Sequence, residues 1–157
     1  MLRLFALLIA LTATAAVAQT DRYVGYYYPE ITSSEVFERQ IRSARGANKA
    51  VRVDFLTSLT TAQLSAPESP RYVFFAKGQS AETLILVALD DDVFKTLFRA
   101  RAVMAQMTSR LRDTPLFVSQ DLQFVATFYD LLQTLGFDTL IITDGERWAH
   151  KVEFKRQ

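Results

Sequence analysis

His150 is the first residue to examine for chemistry, because it is the sole histidine of a chain that has no cysteine. An imidazole titrates near neutral pH and can serve as a general base. Sequence spacing assigns it neither a nucleophile nor an orienting carboxylate, and one histidine is too few for an ordinary zinc site. The sequence favours a structural histidine whose ring nitrogen bonds a neighbour, and catalysis or ligand binding stays open as the alternative.

Arg101 lies where helical spacing predicts an apolar surface. It falls beside Leu97 and Met104, in the arc of the longest helical pattern that should face a sheet. A guanidinium in that arc must pair with a carboxylate, extend its charged end to solvent, or bind an anionic ligand. We expect pairing with an Asp or a Glu, and the other two interpretations stay open.

Four tyrosines near the N-terminus form the strongest candidate contact surface. Such rings can stack on sugars or bases or anchor a partner protein, although alternate rings of a strand can equally enter the core. We predict a strand over residues 21–28, and Trp148 joins its surface if the first and last strands pair. The candidate ligand- or partner-binding residues are Tyr23, Tyr26, Tyr27, Tyr28, Arg101, Trp148 and His150.

Three consecutive aspartates, Asp90-Asp91-Asp92, could suggest a magnesium or calcium site. Consecutive positions cannot all point at one ion, and the spacing of a calcium-binding loop is absent. Their place before the longest helical pattern instead predicts a cap, which also stabilises the positive end of the helix. The sequence has no glycine-rich phosphate loop and no nucleophile elbow. We therefore predict no metal and no cofactor.

The first eighteen residues have the pattern of an export signal. Arg3 supplies a positive start, residues 4–11 are continuously apolar, and Ala16-Val17-Ala18 is a small-x-small cleavage site. The apolar tract is shorter than the roughly 20 residues that span a bilayer. We predict a cleaved signal peptide over residues 1–18 and a single domain over residues 19–157, with a buried N-terminal helix as the alternative.

Composition limits the partners and the compartment of that domain. The formal net charge of the chain is +1 and falls to zero when Arg3 is removed, so no bulk charge attracts nucleic acid or anionic lipid. The absence of cysteine excludes disulfides, a thiol nucleophile and a lipidated N-terminal cysteine. We expect a soluble periplasmic protein with no stable membrane anchor, and secretion beyond the periplasm stays open.

Hydrophobic periodicity predicts six strands and three helices, which are largely segregated along the chain. The strands are residues 21–28, Val51–Phe55, Arg71–Lys77, Thr83–Leu89, Asp138–Thr143 and Arg147–Phe154; the helices are residues 32–46, Val93–Leu111 and a segment from Ser119 or Gln120 to Leu135. This order favours the α+β class, an antiparallel sheet with helices packed on one face. Arg71–Lys77 and Thr83–Leu89 should form an antiparallel hairpin, its second strand covered on both faces.

Asp144-Gly145 lies between two alternating segments and predicts a tight hairpin. A type I′ turn needs positive φ at both central positions, which this dipeptide tolerates. A two-residue loop there places His150 opposite Thr139. Trp148 and Val152 then lie beside the histidine, on the sheet face that carries Ile141.

Several short motifs resemble those of a family of small exported bacterial proteins. They are distributed along nearly the whole of residues 19–157 and are Tyr23–Pro29, Phe75–Gly78, Phe98–Ala102, Thr114–Phe117 and Leu131–Phe137. Members often carry the label molybdopterin-guanine dinucleotide biosynthesis protein A, so the resemblance implies export and, through that label, a biosynthetic role. No chemistry is assigned to these motifs, and no site residues transfer from them. The sequence lacks the N-terminal glycine-rich loop by which such guanylyltransferases hold GTP.

Two classes of function follow from these observations, with a third as an alternative. The first is a non-catalytic exported module that binds an envelope protein or a small ligand. The second is an enzyme that uses His150 and Arg101 around an anionic substrate. It requires a nearby acidic cluster that orients His150 and a concave pocket that includes both residues, and it fails if they lie on opposite faces of the domain. The third is a purely structural envelope component, which predicts an exposed apolar patch and no pocket.

Overall fold

The computed structural model describes residues 23–39, 43–44, 46–112, 114, 118 and 126–155. The predicted signal peptide, residues 1–18, lies outside these described residues, as do residues 119–125 of the helix predicted from Ser119 or Gln120 to Leu135. In chain order the described elements are β1 (Ser33–Phe37), α1 (Lys49–Leu64), β2 (Tyr72–Lys77), β3 (Thr83–Ala88), α2 (Leu97–Arg112), α3 (Phe128–Thr134), β4 (Thr139–Thr143) and β5 (Ala149–Phe154). No helix in this part of the chain has both the length and the apolar character needed to cross a membrane.

The five strands form one mixed sheet in the order β1-β5-β4-β3-β2. β2 and β3 are an antiparallel hairpin, as predicted, and β4 pairs antiparallel with β5. β1 pairs with β5, and β3 with β4, in parallel. A single α+β domain is confirmed, whereas the prediction of an antiparallel sheet is wrong. A parallel β3–β4 pair needs a long crossover connection, and the segment that contains α2 and α3 supplies it.

The described helices pack on one face of the sheet, where the main apolar core forms. Leu84 and Ile142 point to that face and contact helical side chains. Ile85 and Ile141 point to the other face, where they are buried with Tyr28. Successive strand residues alternate between faces, so β3 is covered on both sides, as predicted.

α1 occupies the place of the strand predicted at Val51–Phe55. The Asn48 side chain caps it, because its Oδ1 accepts a hydrogen bond from the Val51 N–H at 3.1 Å. The inward positions recur at helical spacing and are Arg52, Phe55, Leu56 and Leu59. The alternation of five residues spans less than two helical turns, so it is too short to separate a strand from an amphipathic helix.

β1 lies where the sequence predicts a helix over residues 32–46. The Thr32 hydroxyl does not cap a helix, since it donates to the Ala149 carbonyl at 2.8 Å and accepts from the Ala149 N–H at 3.2 Å. Parallel pairing then matches Ser33 with His150 and Phe37 with Phe154. The helix prediction is wrong because pairing with a strand distant in sequence outweighs the local capping preference.

Residues 23–28 form a turn in place of the predicted N-terminal strand. Gly25 has a φ of +79°, a conformation that glycine adopts without steric cost. The Gly25 N–H donates to the Tyr28 carbonyl at 2.6 Å, and the Tyr27 N–H donates to the Tyr23 carbonyl at 3.0 Å. The aromatic pattern correctly indicated side chains that pack on the sheet. The backbone, however, forms a turn and not a strand, because local hydrogen bonds close it.

The β4–β5 register differs from that of a two-residue hairpin. Ile142 pairs with His150, so residues 144–148 form the loop. Asp144 Oδ1 organises this loop by accepting three backbone N–H groups, each at 2.9 Å. Burial raises the pKa of Asp144, but these backbone donors lower it more, and the net shift is downward. A two-residue loop would pair His150 with Thr139, whereas the observed partner is Ile142, three residues further along β4. Because successive strand residues alternate between faces, this odd shift places His150 on the helix-covered face with Ile142 and not on the face of Ile141.

α2 begins at Leu97, later in the chain than predicted. Thr96 Oγ1 accepts from the Arg99 N–H at 3.3 Å and takes the capping position that the prediction gave to the aspartate run. Asp92 instead pairs with Lys95 at 3.0 Å and with Arg99 at 3.4 Å. The hydrogen bond from Lys95, and then the two positive charges, lower the pKa of Asp92. The predicted aspartate cap is therefore wrong, because these side chains stabilise the turn before the helix.

Candidate functional site

His150 lies near the start of β5, between two polar side chains of β1. Ser33 Oγ lies 2.9 Å from Nδ1 of the imidazole, within hydrogen-bond distance. On the other side of the ring, Glu35 Oε1 lies 3.6 Å from Nε2, which is too long for a hydrogen bond. His150 is 2% exposed, and its Nε2 has no hydrogen-bond partner among the described residues. One ring nitrogen is therefore in use while the other faces a carboxylate.

Arg101 approaches the same carboxylate from α2. Its Nη2 lies 2.7 Å from Glu35 Oε2, and its side chain is 60% exposed. The hydrogen bond to Glu35 raises the pKa of the Arg101 guanidinium. The expectation of a carboxylate partner is confirmed, but α2 turns Arg101 to solvent and not into the sheet-facing arc. We call Ser33, Glu35, Arg101 and His150 the β1–β5 polar cluster.

Two aromatic residues border the β1–β5 polar cluster. The Trp148 ring stacks on the imidazole of His150, with centroids 6.1 Å apart and 12° between the planes. Tyr129 of α3 packs edge-on against Phe37 at 5.3 Å. Burial raises the pKa of Tyr129 to about 12, the negative charge of Glu35 adds to this rise, and Arg101 opposes it. Tyr129 is therefore a neutral hydroxyl at neutral pH.

The cluster meets part of what the enzyme hypothesis requires. His150 and Arg101 lie on the same face of the sheet, and the carboxylate of Glu35 contacts both of them. The cavity between α1, β2 and α2 is lined by neither His150 nor Arg101. Trp148, another predicted site residue, joins the cluster through its contact with the imidazole. Three predicted site residues are therefore neighbours, although they are far apart in sequence.

The four tyrosines lie on the opposite face of the sheet, away from Trp148. Tyr28 is buried there, and the Gly78 N–H donates to the Tyr23 hydroxyl oxygen at 2.8 Å. Lys77 Nζ lies 4.0 Å from the centre of the Tyr27 ring, a cation–π contact. Tyr26 is 79% exposed. The expected aromatic surface thus consists mainly of rings that cover the sheet, and Trp148 does not extend it.

A cavity of about 590 Å³ lies between α1, β2 and the C-terminal half of α2. This volume falls within the range of small-molecule sites. Its described lining shares no residue with the β1–β5 polar cluster, so the two are separate candidate sites. Its apolar wall includes Phe55, Leu59, Tyr72, Phe74, Met107 and Phe128.

Arg110 of α2 gives this apolar cavity a positive charge. Burial raises the pKa of Tyr72 in the cavity wall, and the nearby Arg110 charge partly offsets that rise. Among the described residues, the salt bridges do not include Arg110. Arg71, which also lines the cavity, pairs with Asp90 at 3.2 Å. Arg110 is therefore the cation better placed to accept an acidic ligand.

Sequence reasoning missed Ser33, Glu35 and Arg110 as site residues. The first two fall in a segment predicted to be helical, and only parallel pairing with β5 brings them to His150. Arg110 had a weak signal, because Gln106 and Arg110 are spaced to lie on one helix face next to the apolar Met107. Helical spacing alone could not show that α1 and β2 leave a cavity there.

Comparisons with protein-family models, curated proteins and solved structures gave no match. Within the described part of the chain, no three His, Cys, Asp or Glu side chains are grouped so that they could hold a metal ion. The cavity and the β1–β5 polar cluster are therefore the features of the molecule that bear on its function.

Proposed function

We propose that this protein is an exported binding module whose cavity takes up a small amphipathic carboxylic acid. The observation that carries the proposal is an apolar cavity of about 590 Å³ with the Arg110 side chain in its lining. Both features belong to one site, and each selects a different part of the ligand.

The wall of the cavity selects an apolar ligand body. Rings from Phe55, Tyr72 and Phe128 and the side chains of Leu59 and Met107 line it. Apolar surface that leaves water for such a site gains roughly 25 cal/mol per Å². An aliphatic chain or an aromatic ring of a small acid supplies that surface, whereas a sugar or a nucleotide would leave many polar groups without partners.

The Arg110 guanidinium selects an acidic head group. Its planar fork of N–H donors matches the two oxygens of a carboxylate. Within the described residues no carboxylate competes for Arg110 through a salt bridge. Arg110 is exposed, so the head group lies at the mouth of the cavity and the apolar body points inward.

Octanoate binding tests this assignment by isothermal titration calorimetry. We expect octanoate to bind the purified protein, and octanol to bind more weakly. Arg110→Gln should weaken octanoate binding about tenfold, which corresponds to the loss of roughly 1.4 kcal/mol from one partly solvated charged hydrogen bond. Arg112→Gln is the matched control, because Arg112 lies on the same helix outside the cavity lining and should leave the affinity unchanged.

A cavity-filling variant locates the site independently of charge. Ala62 lines the cavity from α1 and is exposed, so Ala62→Phe places a ring in the cavity without disturbing the core. Octanoate binding should be lost. Unchanged affinity in both Ala62→Phe and Arg110→Gln would place the binding elsewhere, and no binding of octanoate or of 4-phenylbutyrate would contradict the proposed function.

We also propose that the protein reaches the periplasm by way of residues 1–18. The positive start, apolar tract and Ala16-Val17-Ala18 site support this compartment. Intact-mass spectrometry of protein from the periplasmic fraction should show a chain that begins at Gln19. A chain that retains Met1 and is recovered only from the cytosol would contradict the proposal.

A further inference from the structure

Beyond ligand binding in the cavity, we propose that Ser33 is an activated nucleophile that cleaves small esters, with His150 as its base and Glu35 as the positioning residue. This inference rests on the β1–β5 polar cluster and does not depend on the cavity. The three side chains come from adjacent parallel strands, so sheet pairing fixes their relative positions.

The histidine is held in a geometry that suits a base for Ser33. Ser33 Oγ lies 2.9 Å from His150 Nδ1, so a ring protonated at Nε2 can accept the serine proton at Nδ1. Glu35 Oε1 lies 3.6 Å from that Nε2 and favours this tautomer, because a carboxylate attracts the N–H. Catalytic hydrogen bonds are often long without substrate and shorten as the imidazolium forms.

Glu35 is in turn held by Arg101. The guanidinium bonds Oε2 at 2.7 Å and leaves Oε1 directed at the imidazole. This repeats the logic of a nucleophile, a base and a third group that orients the base. His150 Nε2 is buried without a hydrogen-bond partner among the described residues, an arrangement that costs free energy in a purely structural histidine. Formation of an imidazolium would give that nitrogen a charged partner.

Ser33 is accessible enough to meet a substrate. It lies on β1, the edge strand of the sheet, and it is half-buried, whereas the histidine behind it is fully buried. Within the part of the chain that the structure describes, the outer side of β1 carries no neighbouring strand, so a small ester can approach Oγ from that side. The charged and titratable groups described near His150 are Glu35 of β1 and Arg101 of α2, with Tyr129 of α3 beside them.

The reaction requires no further reagent besides water. Ser33 Oγ forms a bond to the ester carbonyl carbon while its proton passes to His150 Nδ1. The bond from that carbon to the leaving alkoxide breaks, and the alkoxide takes the proton from the imidazolium and leaves as an alcohol. Water then attacks the acyl carbon while His150 Nδ1 takes a proton from it. The bond between the acyl carbon and Ser33 Oγ breaks, the imidazolium passes that proton to Oγ, and a carboxylic acid leaves.

Labelling of the purified full-length chain with a fluorophosphonate probe, mapped by peptide mass spectrometry, tests the assignment. We expect label on Ser33, none in Ser33→Ala, and unchanged labelling of Ser33 in Ser34→Ala. Ser34 is the exposed neighbour on the same strand, so it is the matched control. His150→Gln should slow labelling at least about 100-fold, the lower end of what a positioned base contributes.

Variants of Glu35 test its role as the positioning residue. Glu35→Gln should slow labelling of Ser33, because the imidazolium loses its carboxylate. Glu35→Asp keeps the carboxylate and should restore part of the rate. Absence of label on Ser33, or equal labelling rates in the unaltered protein and in His150→Gln, would overturn the proposal.

Discussion

We expect Arg52→Met to lower the free energy of unfolding by about 3 kcal/mol. Arg52 is a buried cation on α1, and its guanidinium donates four hydrogen bonds to backbone carbonyls. Two reach Ser80 in the β2–β3 loop at 3.0 and 2.8 Å, and the others reach Leu135 and Gly136 after α3 at 3.1 Å each. Methionine roughly keeps the length of the side chain but loses all four hydrogen bonds. A hydrogen bond to a charged group contributes about 1.5–3 kcal/mol, and less where the acceptor is partly solvated, as these part-buried carbonyls are.

Urea unfolding followed by far-UV circular dichroism measures this effect. Arg52→Lys should fall between wild type and Arg52→Met, because an ammonium keeps the charge but not the planar fork that reaches two segments at once. Lys49→Met is the surface control on the same helix and should change stability by less than about 0.5 kcal/mol. An Arg52→Met variant as stable as the Lys49→Met control would show that the guanidinium does not tie α1 to α3.

Substitution of Gly136 should destabilise the same region as loss of the Arg52 side chain. Its backbone φ of +78° is one that residues with a side chain rarely adopt, and a Cβ there would lie 2.8 Å from Arg52 Nη1. The close approach of α3 to this guanidinium therefore requires glycine. The four hydrogen bonds of Arg52, together with this glycine, connect α1 to the β2–β3 loop and to the end of α3.

Asp130→Ala should cost about 2 kcal/mol, the second largest effect that we expect. Asp130 lies in the first turn of α3, and its Oδ2 accepts from the Thr127 N–H at 2.7 Å and from the Thr127 hydroxyl at 3.0 Å. The Asp130 N–H in turn donates to Thr127 Oγ1 at 3.3 Å, which completes a capping box. Arg39 Nη1 reaches the same carboxylate oxygen at 3.0 Å. Alanine removes all the contacts of this buried carboxylate.

Thermal and urea unfolding of three variants separate the contributions at α3. Asp130→Asn keeps one carbonyl oxygen as an acceptor but loses the charge, so we expect a smaller loss than in Asp130→Ala. Asp91→Ala removes an exposed aspartate outside the helices and should have little effect. Equal stability of Asp130→Ala and Asp91→Ala would contradict a structural role for the capping box.

Local sequence determined the class of the domain and the elements with the strongest patterns. Tyr72–Lys77 and Thr83–Ala88 form the predicted hairpin, because long β-branched and aromatic runs joined by a short loop pair with their nearest neighbour. The helical run of α2 was also evident, since its apolar spacing extends over several turns. The α+β class follows from the grouping of these elements, which short-range preferences suffice to indicate.

Tertiary contacts decided β1, α1 and the positions of the site residues. Ser33–Phe37 becomes a strand because the β5 backbone offers it partners more than a hundred residues away, a gain that no local window contains. Lys49–Leu64 becomes a helix because burial of Arg52 and Phe55 against distant segments favours helical spacing. In short segments the local preferences for helix and for strand are nearly equal, so long-range packing determines which of the two forms.

The candidate sites show the same division. Composition singled out His150, and helical spacing singled out Arg101 as a charge that needs a partner. The sequence could not name Glu35 as the carboxylate that meets both, nor Ser33 as the hydroxyl at Nδ1, because the pairing of β1 with β5 creates those contacts. Residue types and local periodicity are properties of the chain, whereas the distances between reactive atoms are properties of how its strands pair.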